Sequence, residues 1–326
     1  MKKVVHLLML LALLVPCRAL AHHGGVSVPF GPGTPIETNS PLTLPQGGWV
    51  IGTRVEQVEW RKFGWAESEN KSSFTFFNMS LSYGITPYLT GSIFLPYNIK
   101  RLDTLGYTQG IGDLKFLLNL GFNHQPGKGL SLNKQDDTAV TLEGTKKTYF
   151  CLFGGVTAPI GKWKKELGGE IDPGMQSGFG SPAFTVGTSI GRNFAKSFTL
   201  IGETSYEIFA ERAGFKFGNE FRANLAGVYE LYGNPKAFVS KIDGFLELNY
   251  LNLARDVENG EGQPATGGDI LYLTPGLRFS FPKLWNANLG LAVKVPVWKN
   301  LKEAGEQQGS EGLEKFRVIA TLSFFF

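Results

Sequence analysis

From residue 48 onward the chain returns again and again to segments of ten or more residues that alternate strictly, large apolar side chains on one parity and polar or small ones on the other. A period of two is the mark of an extended strand with two unlike faces. In the last segment Phe316, Val318, Ala320, Leu322, Phe324 and Phe326 share one face, and Arg317, Thr321 and Ser323 share the other. Twelve such segments stand near 48–60, 73–84, 88–98, 110–122, 148–159, 181–193, 197–208, 214–230, 240–252, 269–281, 287–298 and 314–326. A soluble sandwich also alternates, so the position of the charges has to separate the two folds. Arg54, Glu56, Asp113, Lys115, Glu203, Glu207, Lys216, Glu220, Arg222, Glu247, Arg278, Lys294 and Arg317 fall mid-segment, opposite rows such as Leu114, Phe116, Leu118 and Leu120 or Leu289, Leu291, Val293 and Val295. With the apolar rows turned outward to lipid, these charges line a wet interior. The expected fold is all-β: an antiparallel transmembrane β-barrel of about 12 strands over residues 48–326.

The first residues fit export. Met1, Lys2 and Lys3 precede an apolar run from Val4 to Pro16 and a small-residue site at Ala19-Leu20-Ala21, the layout of a signal peptide over residues 1–21. A lipoprotein reading at Cys17 is weakened by Pro16, where such sites want a small residue. Cleavage would remove Lys2, Lys3 and Arg18 and leave 29 basic against 28 acidic residues, so the chain has no basic excess to offer nucleic acid. It would also leave Cys151 as the single thiol, with no disulfide framework. An exported chain with alternating strands of bilayer length is expected in the outer membrane of a diderm, Gram-negative cell, surrounded by its lipid.

An even strand count puts both ends of the barrel on the periplasmic side, with short turns there and longer loops outside. The predicted outer loops lie near 61–72, 99–109, 160–180, 209–213, 253–268 and 299–313 and the inner turns near 85–87, 194–196, 231–239 and 282–286. The polar stretch 123–147 breaks this rule, as either a periplasmic excursion or a miscounted hairpin. Residues 22–47 form no strand. They run from His22-His23-Gly24-Gly25 through Pro29, Pro32, Pro35, Pro41 and Pro45, a stiffened segment that suits an inserted plug, with Glu37 able to pair with an interior arginine. His22 and His23 could chelate a metal such as Cu(II) through the terminal amine and imidazoles.

Pro96, Pro159 and Pro296 sit near the outer ends of upward strands, where proline is tolerated. Gly110-Ile111-Gly112-Asp113 and Gly178-Phe179-Gly180-Ser181 each introduce a downward strand. Neither is a nucleotide loop, because no parallel strand precedes it and no helix follows. Taken with Leu95-Pro96-Tyr97, Ala158-Pro159-Ile160-Gly161 and the Phe-terminated last strand, these motifs resemble the phenol-degradation meta-pathway family of outer-membrane transporters. The resemblance implies a channel for small molecules, linked to aromatic compounds, and the terminal Phe326 is similar to the signal read by barrel-assembly machinery. It implies no catalytic residue and no cofactor.

The seven basic and six acidic residues named above are interspersed, which fits paired interior ladders and restricted passage better than selection for one sign of ion. The expected function is an outer-membrane channel for small solutes, aromatic, otherwise hydrophobic or metal-linked. The alternatives are a structural or adhesive barrel and an outer-membrane lipid hydrolase. The hydrolase would need a serine activated by a base on the lipid-facing surface, and His124 on the inner connection is the one histidine of the barrel region.

Overall fold

The computed structural model describes residues 33–62, 70–138, 142, 146–195, 197–303 and 314–326. Twelve long strands make the wall: β1 Trp49–Trp60, β2 Lys71–Thr86, β3 Leu89–Leu102, β4 Leu114–Gln125, β5 Thr148–Ala158, β6 Ala183–Ala195, β7 Phe198–Phe209, β8 Glu220–Gly233, β9 Lys241–Leu253, β10 Gly268–Phe281, β11 Ala287–Leu301 and β12 Glu314–Phe325. Each pairs antiparallel with its neighbours in sequence. Pairing of β1 with β12, from Val50↔Phe325 to Trp60↔Glu314, closes the ring. Closure leaves no free edge, so every wall N–H and C=O can be paired in lipid.

Strand β2 shows how the sequence sets the faces. Phe77, Met79, Leu81 and Tyr83 are exposed at 37, 54, 39 and 36%, while Asn78 and Ser82 between them are 4 and 8% exposed. In a closed barrel the exposed row points out and the buried row points in. The outward surface is therefore apolar along most of each strand, and the chain is an outer-membrane barrel. Trp49 and Tyr83, ring centroids 4.3 Å apart, stand outward at the rim where β1 begins and β12 ends, where aromatic residues border the hydrocarbon.

That rim has the short turns 87–88, 196–197, 234–240 and 282–286, against 61–70, 103–113, 159–182, 210–219, 254–267 and 302–313 at the other. The 126–147 connection lies on the rim of short turns, and its described part folds as an excursion. Gly129–Leu132 pairs back on Phe122–Gln125, a 3-10 turn follows at Gln135–Asp137, and Asn133, Asp137 and Leu142 are buried.

At the outer end the alternation inverts. Val58, Trp60, Phe74, Phe76 and Leu102 point inward and form one apolar cluster. Leu251, Leu253, Ile270 and Tyr272 form a second. Ala183, Phe209 and Phe217 form a third, against which Phe179 and Phe215 pack. Outward neighbours there are Ser73, Thr75, Gln57 and Glu59. A wall that is polar outside and apolar inside is the pattern of a barrel in water, so the strands project beyond the bilayer.

One predicted strand is corrected here. The 214–230 segment is broken: Phe215–Lys216 joins Val257–Glu258 and Glu261–Gly262 in a small sheet of the outer loops, and the wall strand starts only at Glu220. The intervening Phe217-Gly218-Asn219 turns inward, with Phe217 buried and the Gly218 N–H donating 2.7 Å to Asp256 Oδ1.

Candidate solute path through the barrel

Two non-strand segments lie inside the wall, one at each end. Neither can join a ladder, so its backbone donors and acceptors need partners where bulk water is scarce. At the end where β1 begins and β12 ends the segment is 33–47. From Ile36 to Leu44 every side chain is buried.

Wall carboxylates take up this segment's N–H groups. Glu247 on β9 accepts from the backbone of Ile36 at 2.9 Å, Glu37 at 3.1 Å and Thr38 at 2.8 Å, and from Thr38 Oγ1 at 2.6 Å. Glu203 on β7 accepts from Asn39 N at 2.8 Å, Asn39 Nδ2 at 2.6 Å and Asn224 Nδ2 at 3.0 Å. The segment's carbonyls meet cations: Arg54 donates 2.7 Å to Ile36 O and Arg278 donates 3.1 Å to Thr34 O. Further along, Thr90 Oγ1 accepts from Leu44 N, and Asn133 of the excursion donates 2.9 Å to Thr43 Oγ1. The wall also makes room. A Cβ on Gly191 would come within 2.8 Å of Pro41 Cγ, so glycine is needed where the segment crosses β6.

Glu37 is the electrostatic centre. Its carboxylate pairs with Arg54 and, at 2.7 Å, with Lys294. Arg54 also pairs with Glu56, Glu56 with Arg317, and Arg317 with Glu314, at 2.7, 2.7 and 2.6 Å. The chain thus sets Arg54, Lys294 and Arg317 against Glu37, Glu56 and Glu314, all six nearly buried. Burial would push the Glu37 carboxyl up, but Lys294 and Arg54 outweigh it and hold it down at about 2. Beside this network a cavity of about 170 Å³ runs toward the inner rim, lined by Asn78, Ser80, Ser82 and Thr321 on one side and Arg278, Asp243 and Lys241 on the other.

At the outer end the inserted segment is the loop 159–182. Its Pro173–Met175 turn brings Met175, fully buried, into the cluster of Val58, Trp60, Phe74, Phe76 and Leu102. Here the wall holds carbonyls. Lys100 Nζ donates 2.7 Å to Gly174 O and 2.8 Å to Gln176 O, Asn98 Nδ2 donates 2.8 Å to Ser177 O, and Thr108 Oγ1 donates to Met175 O. Asp113 ties down both ends of the loop, accepting from Gly161 N at 2.8 Å and Phe179 N at 2.5 Å. The two glycine motifs noted in the sequence meet at this point. A Cβ on Gly178 would stand 2.5 Å from Asp113 Oδ1 and 2.7 Å from Gly161 Cα.

The candidate charges are distributed as follows. Arg54, Glu56, Glu203, Glu247, Lys294 and Arg317 are inward wall residues in contact with the inner segment or one step from it. Lys115 pairs with Glu207 at 3.0 Å across the interior, Arg222 with Glu220, and Arg278 with Asp243 at 2.7 Å. Asp113 belongs to the loop anchor and precedes its strand rather than lying in it. Lys216 lies in the outer sheet, outside the wall, because the strand breaks before Glu220. His22 and His23 lie outside the described residues, and among those described no three potential ligands gather into a metal site. Sequence reading missed Glu314. Its parity matches the outward Phe316, but a register shift between Glu59 and Trp60 turns it inward.

No family model matches the chain and no curated protein matches it. Among solved structures, the COG4313 outer membrane channel from Pseudomonas putida F1 superposes with a TM-score of 0.63 at 13% identity, covering 88% of this chain and 98% of that one. The NanC porin follows at 0.45 with 8% identity, covering 84% of this chain and 98% of the other, and the CymD monoaromatic hydrocarbon channel at 0.40 with 9% identity, covering 86 and 88%. The last two likenesses are too slight to carry an argument. The first establishes the fold: a twelve-stranded outer-membrane barrel.

Proposed function

We propose that this protein is an outer-membrane channel for small solutes, closed in the state described by residues 33–47 acting as a plug, and that its cargo is aromatic or otherwise hydrophobic. One observation carries the reading. From Ile36 to Asn39 the interior segment is held to the wall through side chains such as Glu247, Glu203, Arg54 and Lys294, and its direct backbone bond to the wall, Gly47 N to Gly84 O at 2.8 Å, stands at the junction with β1, so the segment can swing out without unzipping a strand. The apolar lining of the outer vestibule supports the cargo class, and the motif likeness to the phenol-degradation meta-pathway family points the same way. A solely structural or adhesive barrel has no use for so costly an arrangement of buried charge. A hydrolase reading gains nothing from His124, which is exposed at the inner rim with no hydrogen-bonded serine or carboxylate partner among the described residues. The test is solute uptake into liposomes carrying the purified barrel, comparing aromatic acids, hydrocarbons and sugars of similar size. Uptake of the aromatic solutes ahead of sugars is expected, and equal leakage of all, or none of any, would remove the proposal.

A further inference from the structure

The outer cluster contains more than an apolar contact for a loop. Trp60 is 8% exposed, and its Nε1 is buried with no hydrogen-bond partner among the described residues. A buried donor left unmade is costly, about 1–3 kcal/mol, and marks a place that another group can fill. Lys71 Nζ stands 5.2 Å from the Trp60 ring centre and 5.5 Å from that of Phe74, and Lys100 Nζ stands 5.8 Å from Phe74. The cage therefore combines aromatic walls, an indole donor and two ammonium groups. This combination suits an apolar ring carrying a negative oxygen acceptor.

The loop presents both parts of such a ligand. Met175 puts a thioether among Trp60, Phe74 and Phe76, where sulfur and ring contact is favourable. Three residues earlier Asp172 places a carboxylate within electrostatic reach of Lys71 and Lys100, while also capping the short turn through Gly174 N at 2.7 Å. We propose that Asp172 and Met175 occupy a binding site for a small aromatic carboxylate, standing in for its charge and its ring, and that solute and loop compete for the cage. Trp60 Nε1 would donate to the ligand's carboxylate, with Lys71 and Lys100 supplying the opposing charge. This rests on the channel reading only in that solute must reach the outer vestibule.

The experiment is equilibrium binding of benzoate and of toluene to the full-length barrel in detergent, followed by tryptophan emission and by dialysis of labelled ligand. Retention of heat-modifiable gel mobility serves as the control for folding. Benzoate should change an emission component that Trp60→Phe removes. Met175→Ala, alone and with Asp172→Asn, should tighten benzoate about tenfold by removing the internal competitor. Lys71→Gln should weaken benzoate by about the same factor and leave toluene nearly unchanged. Benzoate affinity indifferent to the loop substitutions, or equal to that of toluene in the parent, overturns the inference. Binding as expected without liposome uptake would sink the channel reading alone, whereas uptake without Trp60-dependent binding would sink this site alone.

Discussion

The inner segment, the plug in our proposal, and the outer loop solve one problem with different chemistry. Both bury irregular backbone inside a barrel, and both are held chiefly by side-chain contacts rather than by a ladder. At the plug the wall contributes carboxylates: Glu247 and Glu203 collect N–H groups from Ile36 to Asn39, and the plug returns one carboxylate of its own, Glu37, to Arg54 and Lys294. At the outer loop Lys100 and Asn98 donate to carbonyls, Asp113 accepts two N–H groups at the loop's base, and Met175 and Phe179 add apolar contact; the loop places no charge of its own in an ion-pair chain like that of Glu37. A segment centred on ion pairs and a loop centred on apolar contact should respond to different perturbations.

The largest effect is expected at Glu37. Replacing it with alanine leaves Arg54 and Lys294 buried beside an unbalanced network, at a cost of about 3–5 kcal/mol to plug docking. In a Cys151→Ser background, a Ser40→Cys reporter should then react with a polar maleimide hundreds of times faster, while a Ser177→Cys reporter on the outer loop reacts as before. Faster reaction at both sites would break the distinction between the two closures.

Next comes the contrast along the wall. Leu118 faces lipid at mid-strand, and an arginine there should cost about 2–4 kcal/mol of barrel stability. The same change at Glu59, outward at the projecting end, should cost about 0–1 kcal/mol. Urea unfolding in bilayers would measure both, and equal costs would contradict the inversion of faces.

An effect of similar size belongs to Asp113. Alanine at this position leaves the N–H groups of Gly161 and Phe179 without their carboxylate, which costs about 1–3 kcal/mol for each donor that stays buried. Labelling should rise at the Ser177→Cys reporter and stay at the parent rate at Ser40→Cys.

The smallest effect is the share of the pH response that belongs to Glu37. Glu37, held at about 2 from an ordinary 4.5, contributes to docking fully above its unfolded value and loses that contribution only as pH falls through the folded one. Glu37→Gln should therefore remove only that part of an acid-driven rise in single-channel opening that sets in below about pH 4. A steep rise near neutrality would mean that some other group controls the plug.

The membrane-embedded wall was legible in the sequence because lipid imposes one rule on every strand: Phe116 and Leu118 face out, and Lys115 between them faces in. Where the strands leave the bilayer that rule lapses, so the inward Trp60, Phe74 and Phe76 were hidden in a row that reads as polar lower down. Parity also fails at a bulge, which concealed Glu314, and at a broken strand, which misplaced Lys216. Asp113 was visible only as part of a glycine motif. Its role depends on contact with Gly161 and Phe179, 48 and 66 residues away in sequence, which no local pattern encodes. Glu37 stood out as the chief charge of an otherwise uncharged, proline-rich stretch. Its partners could be narrowed to the interior cations but not chosen among them.

If the inner segment closes a path, single-channel conductance of the barrel lacking residues 33–45 will reveal it. In planar bilayers that deletion should raise conductance several-fold over the intact chain, because the space the segment fills would join the cavity of about 170 Å³ beside it. Conductance unchanged by the deletion, in a barrel that still inserts and still shifts on heating, would contradict the account.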